Sequence, residues 1–172
     1  GEGGRSDVVF DMVNRTDTPG YGYQLAKGAT TLVETWDANP AMSQNHFMLG
    51  HIEEWFYKHL AGIQQAPDSV GFDKIVIKHE VVGDITWVKA GYDSVRGPIR
   101  SEWAVKEDGL HLDVSIPPNT TATVYVPARD STDVSESGKP VAQVEGVTFL
   151  RMESGRAVFE VGSGAYAFVS PH

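Results

Sequence analysis

The chain has 172 residues, enough for one or two domains, with 41% hydrophobic and 22% charged residues, ordinary values for a globular protein. A formal net charge of −9 without a Lys/Arg cluster argues against a nucleic-acid or anionic-membrane partner. The absence of cysteine excludes disulfides and thiolate metal sites, and no apolar run reaches the roughly 18–20 residues needed to cross a bilayer.

Gly1-Glu2-Gly3-Gly4 has neither Met nor the charged start of a signal peptide, so it is expected to follow a cut within a longer protein. Ser6 suits a helix N-cap and Asp7 the first turn, with Val8, Val9, Met12 and Val13 as one apolar stripe. Asp17 to Gly20 reads as a turn, and Tyr21 to Lys27 as a short second helix closed by Gly28. Ala29 to Trp36 is β-branched and apolar enough for an extended segment. Ser43 is then expected to cap a helix of about five turns, Gln44 to Ala61, ended by Gly62. Its buried face would carry Met48, Ile52, Trp55, Phe56 and Leu60, and Gln64 to Asp68 would be the linker.

Beyond Phe72 the period changes from helical to alternating. Strands are expected over 73–79, 85–92, 97–107, 110–116 and 120–126, then near 148–152, 156–161 and 165–169. Leu110, Leu112, Val114 and Ile116 alternate with His111, Asp113 and Ser115, the pattern of a half-buried strand. Trp87 and Trp103 read as core, and Asp130 to Lys139 as a mobile polar loop. About eight short antiparallel strands imply a β-sandwich. The fold class is α+β: a helical part, residues 1–65, followed by an antiparallel β-sandwich, residues 66–172. So few helices make a poor independent core, which suggests that the rest of an α-domain lies outside this chain.

The chemistry-bearing residues gather between Ala29 and Tyr57. Glu34 is either a solvated residue or a general base that deprotonates water beside a sugar. His46 is either a surface residue or a hydrogen-bond partner of a substrate hydroxyl. Trp36 stands two residues from Glu34 and would share its direction in an extended segment, making it the better sugar-stacking aromatic; Trp55 and Phe56 are read as core. Tyr21 and Tyr23 would rim the same pocket. His46, His51 and His59 lack the i,i+4 spacing of a helical zinc site, so neither metal nor cofactor is expected. No nucleophile-elbow motif supports a Ser/His/Asp hydrolase.

Five ordered blocks carry a family resemblance: GRSDVVFDMV, YGYQLAKGATTLVETWD, NHFMLGHIEEWFYKHLAGI, GFDKIVIKHEVVGDITWVKAGYDSVRGPIRSEW and IPPNTTATVYVPA. From about Gly4 to Ala128 the chain resembles the bacterial α-L-rhamnosidases, glycoside hydrolase family 78. The resemblance implies release of terminal α-L-rhamnose with inversion, in an (α/α)₆ barrel followed by a β-sandwich. Residues 1–65 would be the last barrel helices and a rhamnose-containing glycoside the substrate. In TTLVETWD the family's general base falls on Glu34, its pocket histidine on His46, and flanking positions on Trp36 and Asp37. Family members commonly carry an aromatic where this chain has Val33, and the connection from Asp37 to Asn45 looks short. The family's general acid lies far upstream and has no counterpart here, so the isolated chain is expected to be inactive. The competing reading is a non-catalytic module whose sandwich binds carbohydrate, signalled by exposed aromatics, or braces the barrel. A third, a degenerate homologue that folds alone, requires a well-packed helical half. Exposed helix faces through Met48, Ile52 and Phe56 would favour self-association, and the compartment stays open.

Overall fold

A computed structural model describes residues 3–171. The chain forms two compact units, one ending at Phe56 and including Val82–Asp84, the other holding Tyr57–Val81 and the residues from Ile85 onward.

The first unit carries α1, Ser6–Asn14, and α2, Tyr21–Ala26. Ser6 does not cap α1; Arg5 holds the N-cap position, and no side chain bonds there. Ser6 is instead buried, and its Oγ accepts a hydrogen bond from Trp55 Nε1 at 3.0 Å. A capping hydroxyl would have had to face the helix end, whereas here the indole N–H needed a buried acceptor. The glycines of the turn serve close backbone approach: a Cβ on Gly20 would lie 2.4 Å from Arg15 O, and one on Gly22 2.8 Å. This lets the Tyr23 amide bond Arg15 O at 2.9 Å. Gly28, at φ +82°, follows α2 as expected.

The long second-half helix is not uniform. His46 precedes a 3₁₀ turn over Phe47–His51, then comes α3, Ile52–Trp55, and a π turn over Phe56–Leu60. Ser43 therefore caps nothing. Trp55 and Leu60 are buried five residues apart, a spacing that the wider π turn accommodates, while Met48 is 61% exposed and Ile52 and Phe56 are half-buried. Ala29 to Trp36 is not a strand either; it runs through bends and turns.

The second unit is a β-sandwich. One sheet orders β1 (Ile63–Gln65), β2 (Lys74–Ile77), β6 (Thr121–Pro127), β10 (Arg156–Val161) and β9 (Val147–Glu153). The other orders β3 (Trp87–Ser94), β4 (Gly97–Lys106), β5 (Gly109–Ile116), β11 (Gly164–Ser170), β7 (Ser135–Glu136) and β8 (Lys139–Pro140). Pairing is antiparallel except between β2 and β6, which run parallel. All eight expected strands form, and β1 takes residues read as linker. The polar 130–139 stretch is ordered rather than loose: Asp130 caps a 3₁₀ turn over Ser131–Asp133, and β7 and β8 follow.

The inward rows of the two sheets form the core. Ile75, Ile77, Val124 and Phe159 face Ile99, Leu112 and Phe168, all nearly inaccessible, and the Phe159 and Phe168 rings stack at 5.8 Å between sheets. Trp103, 2% exposed, belongs to that core and donates its indole N–H to Leu60 O at 2.8 Å. Trp87 does not: it is 62% exposed. It pairs with Ala104, one residue out of phase with Trp103, and therefore points to the other face of the sheet.

Candidate active site

Glu34 sits on a laced loop rather than a strand. Glu34 N donates to Ser43 O at 3.0 Å, His46 N donates to Leu32 O at 2.8 Å, and Thr31 Oγ1 donates to Gln44 O. The chain between is folded by two turns, with Ala38 N bonded to Thr35 O at 3.0 Å and Met42 N to Asn39 O at 3.1 Å. Gln44 Nε2 ties the second turn down through Asn39 O and Met42 O, both at 3.0 Å. The short Asp37–Asn45 connection is thus a self-bonded loop, and Val33, 1% exposed, is its apolar anchor.

Within that loop Glu34 is half-buried, and its Oε2 accepts the Ser43 amide at 3.2 Å. Oε1 takes no protein hydrogen bond among the described residues, which leaves one oxygen to orient a water or a sugar hydroxyl. His46 stands on the facing segment with its ring stacked on Phe47 at 5.5 Å. Its ring nitrogens have no protein partner among the described residues and can donate or accept. The structure therefore places Glu34 and His46 on opposed, cross-bonded segments.

Trp36 and Asp37 go elsewhere in the unit. Trp36 meets Tyr21 edge to face, with centroids 5.0 Å apart and planes at 84°. Its shared direction with Glu34, which an extended segment would have given, is lost in the bends. Tyr21 is held in turn by its hydroxyl, which donates to Leu49 O at 2.7 Å, and burial pushes its phenol pKa up. Asp37 is exposed on the turn after Trp36. Tyr23 carries Lys27 Nζ over its ring at 5.3 Å.

A cavity of ≈ 420 Å³ opens in the same unit. Tyr21, Gln24, Leu32, Ile52, Glu53 and Phe56 line much of it, whereas Glu34, Trp36, Asp37 and His46 do not. Gln24 is 3% exposed, and its Nε2 has no hydrogen-bond partner among the described residues. A buried amide donor without a partner costs about 1–3 kcal/mol. Sequence reading passed over Gln24. Its i,i+3 spacing from Tyr21, on the helix face that α2 turns inward, was the available signal.

In the sandwich, His79 is fully buried against Trp103, ring centroids 5.5 Å apart, and neither ring nitrogen has a hydrogen-bond partner among the described residues. Burial first, and the Arg156 charge second, push its pKa down to about 3, so it is neutral at pH 7. Among the described residues no three His, Cys, Asp or Glu side chains converge as metal ligands, and no helix is long and apolar enough to cross a membrane.

Two family models match this chain. Residues 2–60 match the bacterial alpha-L-rhamnosidase 6 hairpin glycosidase domain, and residues 62–140 the bacterial alpha-L-rhamnosidase C-terminal domain. An alpha-L-rhamnosidase of Streptomyces avermitilis is 38% identical over 174 residues, covering 96% of this chain and 16% of the relative. One of Formosa agariphila is 28% identical, covering 97% of this chain and 19% of the relative. Among solved structures, Streptomyces avermitilis alpha-L-rhamnosidase complexed with L-rhamnose superposes with a TM-score of 0.84 at 36% identity, covering 97% of this chain and 16% of that one. The enzyme of Dictyoglumus thermophilum gives 0.85 at 30% identity, covering 99% and 19%. The chain thus spans less than a fifth of the length of these relatives.

Proposed function

Since the chain belongs to the bacterial α-L-rhamnosidase family, we propose that it is the C-terminal part of an inverting glycoside hydrolase that releases terminal α-L-rhamnose. In this reading residues 1–65 are the last helices of an (α/α)₆ catalytic barrel and residues 66–172 its C-terminal sandwich. A rhamnose-containing glycoside is the substrate, and a relative complexed with L-rhamnose supports that choice. Glu34 is the general base, His46 contacts a rhamnose hydroxyl, and Trp36 and Asp37 line the sugar's surroundings.

The observation that carries this is the Glu34 carboxylate, held at one oxygen by the Ser43 amide and open at the other. A general base must be oriented before the reaction, because alignment lost to side-chain rotation is rate lost. Inversion also needs a carboxylic acid roughly 6.5–9.5 Å from the base, to protonate the leaving oxygen. That acid belongs to the part of the barrel outside this chain, so the chain alone is expected to be inactive. The unpartnered Gln24 amide and the exposed apolar residues Leu25 and Phe47, 72% and 86% exposed, are where the remaining barrel would pack. In the isolated chain the same surfaces are available to a second copy.

The test is hydrolysis of an aryl α-L-rhamnoside. The 172-residue chain is expected to show no turnover, and Glu34→Gln in the full-length parent to lower kcat by about 10²–10⁴-fold with KM little changed. Turnover by the chain itself, abolished by Glu34→Gln, would mean that both carboxyls lie within it and that the division of labour proposed here is wrong.

A further inference from the structure

We infer that the outward face of the six-stranded sheet is a second glycan-binding surface, centred on Trp87 and separate from Glu34. The register lays out this face in rows. Trp87 pairs with Ala104, which pairs with His111; Lys89 pairs with Glu102, which pairs with Asp113; Gly91 pairs with Arg100, which pairs with Ser115. Their neighbours along each strand, such as Val88, Trp103 and Leu112, point into the core.

Two clefts lie on this face, of ≈ 370 Å³ beside Trp87 and ≈ 430 Å³ toward β11, and both are lined by Glu102 and Asp113. They therefore adjoin along the central charged row. Small residues keep the floor low: Ala104 lines the first cleft, and Ala165 and Ala167 the second. Arg100 lies across Gly91, where a Cβ would come within 2.0 Å of its guanidinium nitrogen.

A single exposed indole is unremarkable, but this one borders a groove whose polar groups are of both kinds. Lys89 and Arg100 donate, Glu102 and Asp113 accept, and Lys89 Nζ sits 3.0 Å from Glu102 Oε2. A polyol suits such a groove, because each hydroxyl both donates and accepts while the C–H face of a pyranose stacks on the indole. A packed protein domain fits poorly: it would bury the row of three charges Lys89, Glu102 and Asp113 together with Arg100 beside it, whereas interface cores are depleted in charge and desolvating such groups is costly. The face spans β3, β4, β5 and β11, roughly 14 Å at about 4.8 Å between neighbouring strands, room for more than one sugar unit. The choice of a rhamnose-bearing glycan as ligand rests on the proposed function; the surface itself does not.

The test is an NMR titration of the ¹⁵N-labelled 172-residue chain with an oligosaccharide ending in α-L-rhamnose. The expected result is a shift of the Trp87 indole N–H and of the amides of Lys89, Glu102 and Asp113. Trp87→Ala and, separately, Asp113→Asn would each weaken binding at this face by about tenfold or more. Trp87 and Asp113 are exposed, so the remaining amide spectrum reports whether each variant is folded. Shifts confined to residues 31–56, no shifts at all, or undiminished affinity in both variants would overturn the proposal. Because the readout is on the sheet and not in turnover, its failure is distinguishable from failure of Glu34 as the base.

Discussion

At the scale of single residues, the molecule separates groups that chemistry can use from groups that folding has neutralised. Glu34 keeps an open oxygen in a self-bonded loop, whereas His79 is sealed beside Trp103 with no hydrogen-bond partner among the described residues. His79 has a consequence for stability. Its pKa in the fold, about 3, lies below the value of about 6.5 in the unfolded chain. Between those values the unfolded chain binds a proton that the folded one refuses, so stability falls as pH drops from about 6.5 toward 3. Above about 6.5 both forms are neutral and the effect vanishes. The slope is at most on the order of 1.4 kcal/mol per pH unit for one proton. Urea unfolding of the sandwich at pH 7 and pH 5 measures it, and His79→Phe, which keeps a ring on Trp103, is expected to flatten the difference. An unchanged difference would assign the acid sensitivity to other groups.

At the scale of elements, the strands form where alternation places them, whereas the one long helix read from the sequence does not form as a single helix. β5 alternates as read because one face meets the core and the other meets solvent, a local rule with a period of two. The segment 47–60 carries a helical pattern but changes winding twice. Gly50 passes close to Leu32, with a notional Cβ 3.3 Å from Leu32 Cδ1, and the π turn lies where the chain passes into the second unit. Just beyond, Gly62 at φ +79° accepts Lys78 N at 2.9 Å, and a Cβ there would fall 2.3 Å from the His79 backbone nitrogen. Backbone conformation and clash act together, so Gly62→Ala is expected to destabilise the sandwich by about 2 kcal/mol or more. A lower urea midpoint at unchanged m would confirm it, and an unmoved midpoint would refute it.

At the scale of the whole molecule, apolar burial is unevenly shared. Among the described residues Val33 and Trp55 are the buried hydrophobics of the first unit, while both sheets of the sandwich contribute full rows. Val8, Leu25, Phe47 and Met48 of the first unit are at least half exposed. Local opening costs little where few apolar contacts hold an element closed. In hydrogen exchange the amides of α1, α2 and the Glu34 loop are therefore expected to be nearly unprotected. Those of β4, β5, β6 and β10 should exchange only on global unfolding. Equal protection in the two units would show that the helical part folds alone, as the degenerate-homologue reading requires.

Periodicity sufficed for the eight main strands, the α+β class and the two-part division of period, because alternation reflects a local choice between core and solvent. Family-specific blocks pointed to the rhamnosidases without any coordinates. Tertiary structure decided what depends on partners distant in the chain. Ser6 became a buried acceptor for Trp55 instead of a cap, and the segment 47–60 took 3₁₀, α and π winding in turn instead of one helix. Trp36 was drawn to Tyr21, out of the direction that two-residue spacing gave it. Trp87, composed like a core residue, was placed outward by its register with Ala104. Which of two faces a strand turns to the core is a property of the pairing, and a single side chain does not encode it.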